Sequence, residues 1–400
     1  MDCIKFNQGV EISEYLSKEG HYLIEIPKYN NQLVINTAVY NLLNIIIENQ
    51  LISIHELCKN YLKIYNEEIA EEDALHSIKL LLKGGVLSSP GFEPQKRKNN
   101  YLKFRFVLIA KKTVITLASF FTFLYHKLFK WAFLISLPFV CFGAYYIAFN
   151  KSFIPESKLS YGVYLSLILI SILFHELGHA SALLKYKQKP GEIGIGLYLY
   201  IIPVFYTSLS NAWRLNTRQR LIVDFGGVYF QYITVIFFLI GSVFFPELHF
   251  VPFSILIIIL YQFNPFIRLD GYWILSDWLK KDQLLISAQK LLDIFFLDLI
   301  KGNPIQLEKK QIPLFIYAII NKTYILFIYL TFFLIQPEMF FDFPDKISKL
   351  VHLDPFFSSI SLGLLFNAFF PVMILLFMVV MIIKNFSYFK KIYQKTSNIN

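Results

Sequence analysis

The chain has 400 residues, of which 56% are hydrophobic and 18% aromatic, and its mean hydropathy is +0.50. A water-soluble globular protein does not show that balance, whereas a multi-pass membrane protein does. The net charge of +10 does not mark a nucleic-acid binder, because the Lys and Arg residues flank apolar stretches, where membrane topology concentrates them.

Residues 1–98 differ from the rest: they carry soluble periodicity and no apolar run of spanning length. Tyr22–Ile26 and Gln32–Ile35 read as short strands around a turn at Pro27 and Asn30-Asn31. Thr37 is placed to cap a helix with Val39, Leu42, Leu43 and Ile46 on its apolar face. A second helix is expected from Ser53 to about Tyr65. A third is expected over 71–83, with Ala74, Ile78 and Leu81 on one face, ended by Gly84-Gly85. Val86-Leu87-Ser88 reads as a last short strand. The order suggests a small α+β, winged-helix-like cytoplasmic domain. The polar start Met1-Asp2-Cys3-Ile4-Lys5 predicts no cleavable signal peptide.

Residues 99–130 read as a linker and an amphipathic helix lying at the membrane surface, with Lys103, Arg105, Lys111, Lys112, Lys127 and Lys130 among aromatics. About six transmembrane helices then follow, near 131–149, 161–183, 221–245, 250–267, 313–335 and 359–383. The connections 184–220 and 268–312 hold most of the loop Lys and Arg. This predicts a multi-pass cell-membrane protein with those loops and both termini in the cytoplasm. Asn211-Ala212-Trp213-Arg214-Leu215 through Arg220 reads mainly as a cytoplasmic anchor. Gly191–Tyr200 alternates and is rich in Gly. Cys3, Cys58 and Cys141 show no CxxC spacing, so neither a disulfide framework nor a thiolate zinc site is expected.

The chemistry concentrates in His175-Glu176-Leu177-Gly178-His179, an HExxH inside an apolar helix. Ionisable groups are costly within a bilayer and mark function. Imidazoles four residues apart share a helix face and can grip one zinc ion, with Glu176 beside them as general base. Hydrolytic zinc takes three protein ligands. Asp270, at the inner end of the fourth span, arrives at the same depth and is the best third ligand; Asp224 is the runner-up. His249 and His126 are poorly placed. Gly178 lets a neighbouring helix or a substrate approach closely.

These residues resemble the site-2 protease family of intramembrane zinc metalloproteases, whose HExxH precedes an N-P-x-x-x-L-D-G pattern. Here the second motif is Asn264-Pro265 followed by Leu269-Asp270-Gly271. The resemblance covers about 160–280, the family's three-helix catalytic core. It implies that His175, His179 and Asp270 bind Zn2+, that Glu176 is the base, and that Asn264 holds the substrate backbone. It also implies a membrane-dipping hairpin at 191–200, whose edge could pair with an extended substrate or be structural only. No PDZ-like domain is evident, and Tyr272 stands where many members have a second glycine. Leu269-Asp270-Gly271-Tyr272-Trp273 is closer to the peptide zinc metalloprotease branch, often implicated in processing or exporting ribosomal peptides. The N-terminal domain resembles a RiPP recognition element, in which a leader peptide adds as a strand. Here that means the 22–26 or 32–35 edge and the face of 71–83.

The expected organisation is thus a peptide-binding domain (1–98), a linker and interfacial helix (99–130), a first transmembrane helix and loop (131–160), a zinc metalloprotease core (161–280), and a cytoplasmic loop, two further spans and a basic tail (281–400). The expected activity is hydrolysis of a peptide bond in a small peptide or peptide precursor. The expected partners are that peptide, the lipid bilayer, and a peptide-modifying enzyme or ABC exporter, with no nucleic acid. The alternative is a non-proteolytic membrane component of a peptide export or immunity system. An ion-coupled transporter is disfavoured, because HExxH spacing suits a metal and no inverted repeat is evident.

Overall fold

The computed structural model describes residues 4–29, 31–49, 53–90, 92–94, 102–149, 161–198, 202–304 and 307–331, with positions 334 and 379. The chain divides into two compact units: Met1–Asn100 with Tyr186–Lys189 and Leu209–Ile222, and the remainder.

In the first unit, β1 (Lys5–Phe6) pairs antiparallel with β5 (Leu87–Ser88). β2 (Glu11–Glu14), β3 (His21–Ile26) and β4 (Asn31–Asn36) form an antiparallel sheet in that order. The expected strands are β3 and β4. Because β3 is paired on both sides, residues 22–26 do not present a free edge, which corrects one of the two strand-addition edges expected above.

Three helices follow: α1 (Thr37–Glu48), α2 (Ile54–Tyr65) and α3 (Glu71–Gly84). Asn36, not Thr37, caps α1, accepting from Val39 N at 3.0 Å, while Thr37 donates to Gly20 O at 2.9 Å. Ser53 and Glu56 cap α2 reciprocally. Gly85 ends α3 at φ +85°, a left-handed conformation that a side chain would strain. Leu42, Leu43, Leu57, Ile78, Leu81 and Ile24 form the core that these elements share.

The segment 209–222 packs within this unit. Arg214 bonds Glu25 and, at 3.1 Å, Glu11. Arg220 donates to Tyr15 Oη and lies 4.7 Å from the centre of the Trp213 ring. Ser17 Oγ donates to Leu215 O at 2.9 Å. These two cations of the expected cytoplasmic anchor are held by protein partners. Replacing Arg220 with Ala removes a charged hydrogen bond and a ring contact, together worth about 2–4 kcal/mol. The expected result is faster limited proteolysis within 209–222; unchanged cleavage rates there would count against this packing.

The second unit holds a three-stranded sheet, β6 (Leu102–Ile109), β7 (Ile193–Tyr198) and β8 (Ile202–Thr207), in that order. β7 and β8 pair antiparallel, in keeping with the hairpin that the resemblance implies at 191–200. The amphipathic helix expected within 99–130 does not form over 102–109, which is β6. The run Phe106-Val107-Leu108-Ile109 favours a strand, and its partner lies some ninety residues away, beyond the reach of local periodicity. Helix α4 (Lys111–Phe120) follows, then a short 3-10 turn over Phe121–Tyr125.

The long helices are α5 (Lys127–Phe149), α6 (Tyr161–Lys185) and α7 (Thr217–Phe244). After them come α8 (Phe250–Gln262), α9 (Asp270–Trp278), α10 (Leu284–Lys301) and α11 (Ile312–Leu330). Among the described residues, three stretches are long and apolar enough to cross a membrane: Gly162–Lys185, Thr217–Phe244 and Lys309–Ile328. These fall on the second, third and fifth expected spans. The first falls on α5. The fourth, expected over 250–267, is shorter than expected: α8 has 13 residues, because Pro265 removes a backbone donor and bars helical geometry at Asn264. The sixth, 359–383, lies outside the described residues apart from position 379. α6, α7 and α8 pack through Ile168, Val228, Tyr232, Val235, Val251 and Ile255.

Candidate metal centre

α6 and α7 cross where neither has a side chain. A Cβ on Gly178 would strike the Gly226 carbonyl, and one on Gly226 would lie 2.8 Å from Gly178 O. The neighbour that Gly178 admits is thus a helix. This close crossing brings one face of α7 against the two histidines of α6, which are 2% and 6% exposed.

Each imidazole is oriented from α7. His175 Nδ1 lies 3.2 Å from Gln231 Oε1, and His179 Nδ1 lies 2.8 Å from the Val223 carbonyl oxygen. A carbonyl can only accept, so each Nδ1 donates, and each Nε2 is directed at Asp270. The two Nε2 atoms face each other at 3.2 Å.

Asp270, the first residue of α9, completes the cluster. Its Oδ2 lies 3.2 Å from His175 Nε2 and its Oδ1 lies 3.4 Å from His179 Nε2. Two Nε2 atoms and the two carboxylate oxygens thus face one another, an array that is held together by an imidazolium proton or by a metal ion that takes the Nε2 lone pairs. Asp270 Oδ2 is buried and has no hydrogen-bond donor. This arrangement costs free energy unless a cation sits among the atoms. The two Nε2 atoms are 3.2 Å apart, close to the roughly 3.3 Å that separates neighbouring ligand atoms around tetrahedral zinc, and each lies 3.2–3.4 Å from one oxygen of the Asp270 carboxylate. Two imidazoles and a carboxylate are also the donor set of hydrolytic zinc. The residues therefore fit the metal. Among the described residues these three are the group able to hold one.

Gly227 sets the remaining boundary. A Cβ there would collide with the Nε2 atoms of both histidines. Glu176 is 6% exposed, and its Oε2 accepts from Thr207 Oγ1, at the end of β8, at 2.7 Å.

His175, His179 and Asp270 are thus brought together, with Glu176 adjacent in α6. Asp224, the runner-up, is not in the cluster. Asn264 is not in it either. Its Oδ1 accepts from Phe266 N at 2.9 Å and its Nδ2 donates to Tyr324 Oη at 2.6 Å, so its amide serves the turn and α11. Gln231, Gly227 and Thr207 escaped the sequence reading. A buried amide in an apolar span was the available signal for Gln231; nothing local marks the other two. Gln231→Leu is expected to weaken zinc binding ten- to a hundredfold, since partners that orient ligands typically carry that much. Competition against a chromophoric chelator measures it, and an unchanged affinity would remove Gln231 from this role.

Fold and site together define a mostly helical chain with membrane-length helices and a buried two-histidine, one-carboxylate cluster. The chain is similar to a Bacillus subtilis protein, YydH, named as a candidate peptide zinc metalloprotease, with 28% identity over 120 residues. That match covers 29% of this chain and 47% of the relative, so the chain spans about half the relative's length. No protein-family profile matches the chain, and no solved structure matches it.

Proposed function

We propose that this chain is a membrane-embedded zinc metalloendopeptidase of the site-2 protease type. The observation that carries the proposal is the buried convergence of His175 Nε2, His179 Nε2 and the Asp270 carboxylate, with contacts of 3.2–3.4 Å, inside an apolar helical unit. The similarity to a protein named for peptide zinc proteolysis supports the same class.

Zinc held by His175, His179 and Asp270 supplies a Lewis acid that lowers the pKa of water towards ~7. The protein's own groups do the rest. Glu176 takes the proton as water attacks the peptide carbonyl and returns it to the leaving amine. Thr207 donates to Glu176 Oε2, which fixes the carboxylate and leaves its other oxygen to receive the proton. Gln231 and Val223 orient the rings.

The substrate is a small peptide or peptide precursor, cut during maturation or export of a ribosomally made modified peptide. In the first unit a leader peptide adds as a strand to β4, which is strand-paired only to β3 among the described residues, beside α3. An exporter or modifying enzyme is the partner this role requires. The basic loops and both termini face the cytoplasm by the distribution of Lys and Arg.

The test is metal analysis of the detergent-purified full chain, with cleavage assays on peptide precursors encoded in neighbouring genes. About one zinc per chain with specific cleavage supports the proposal. Absence of zinc under zinc-replete, chelator-free conditions overturns it.

A further inference from the structure

Asp270 owes its position to a break in helical structure, and another helix holds that break. Between α8 and α9 the backbone turns through residues 263–269, where Pro265 prevents continuation of α8. Within an apolar protein the freed carbonyls need donors. α11 provides them. Tyr317 Oη donates to Pro265 O at 3.0 Å, and Asn321 Nδ2 donates to Phe266 O at 3.3 Å. Tyr324 Oη accepts from Asn264 Nδ2.

The three residues are spaced by four and three, so they line one face of α11. Tyr317 and Asn321 are each 6% exposed. The Phe266 ring stacks on the same face, with its centre 6.1 Å from that of Tyr317 and 4.7 Å from that of Tyr324. The turn is also closed against α9: a Cβ on Gly271 would strike the Phe263 backbone. The shape of the turn is therefore transmitted to the residue before Gly271, which is Asp270.

We propose that α11 is a brace for the third ligand, and that Tyr317, Asn321 and Tyr324 are positioning residues acting through the Asp270 carboxylate. This rests on the zinc reading above, and it gives the fifth apolar segment a role at the site without contact with the metal. Helix–helix packing alone would not need three polar groups aimed at one turn.

The experiment compares the full chain with the variant Tyr317→Phe/Asn321→Leu/Tyr324→Phe, each with Asp270 intact and with Asp270→Asn. Zinc affinity is read by chelator competition, and the ligand field by the visible spectrum of the cobalt-loaded protein. With Asp270 intact, the brace substitutions are expected to weaken zinc ten- to a hundredfold and to move the cobalt spectrum towards that of Asp270→Asn. With Asp270→Asn they are expected to cause no further loss. Equal losses in both backgrounds would show a general packing role and overturn the brace. Unchanged affinity with Asp270 intact would also overturn it while leaving the zinc reading standing. Failure of the unsubstituted chain to bind zinc would remove the zinc reading itself, and the brace with it. If the triple variant does not fold, Tyr317→Phe alone, which deletes one oxygen, carries the same comparison with an expected loss of about fivefold.

Discussion

Glu176→Gln is expected to keep about one zinc per chain and to lose peptide cleavage by about 10²- to 10⁴-fold, the range set by general-base removal. The two effects separate because Glu176 is not among the three facing donor atoms. Its carboxylate is held by Thr207 from β8, whereas the histidines are held by Gln231 and Val223 from α7. Gln preserves the side-chain shape and can still meet the Thr207 hydroxyl, but it cannot accept a proton. His175→Ala/His179→Ala removes two of three ligands and is expected to lose both the metal and the activity. A Glu176→Gln protein that cleaves at the unsubstituted rate would exclude Glu176 as the base.

Gly227→Ala is expected to abolish zinc loading almost as completely as loss of a ligand. In an ordinary helix interior the same change stabilises by about 0.5–1 kcal/mol, because glycine loses more backbone entropy on folding. The sign reverses here because the added methyl occupies the space of both Nε2 atoms. Either α7 moves outward, which breaks the Nδ1 hydrogen bonds, or the rings rotate and no longer face Asp270. Gly241→Ala in the same helix is the control. Its Cβ would meet only Leu248 Cδ1, at 3.5 Å, which is ordinary contact, so zinc content there should match the unsubstituted protein. Metal analysis of the two variants decides the matter. Full zinc occupancy in Gly227→Ala would mean that the ring positions described above are not those of the working site.

The N-terminal elements were legible because each depends on neighbours in sequence: the turn residues between 22–26 and 32–35, the apolar face of 37–48, the helix start at Ser53 and the stop at Gly84-Gly85. The strand at 102–109 was not, because its pairing partner is Gly194 and its neighbours, far along the chain. The short α8 was legible in principle from Pro265, but uniform apolarity masks a helix break when only hydropathy is read.

The sequence by itself determined that this chain is built for an apolar surrounding. It also determined that His175 and His179 share a helix face with Glu176 between them, since helical spacing is a local property of the backbone. Only the tertiary structure decided that Asp270 rather than Asp224 meets the histidines, and that Gln231 and the Val223 carbonyl orient their rings. The same holds for the space kept clear by Gly227 and the brace supplied by α11. Each of these depends on the distance between side chains carried by different helices. That distance follows from how small residues let α6 and α7 cross and how the turn after α8 is held, which no window along the chain contains.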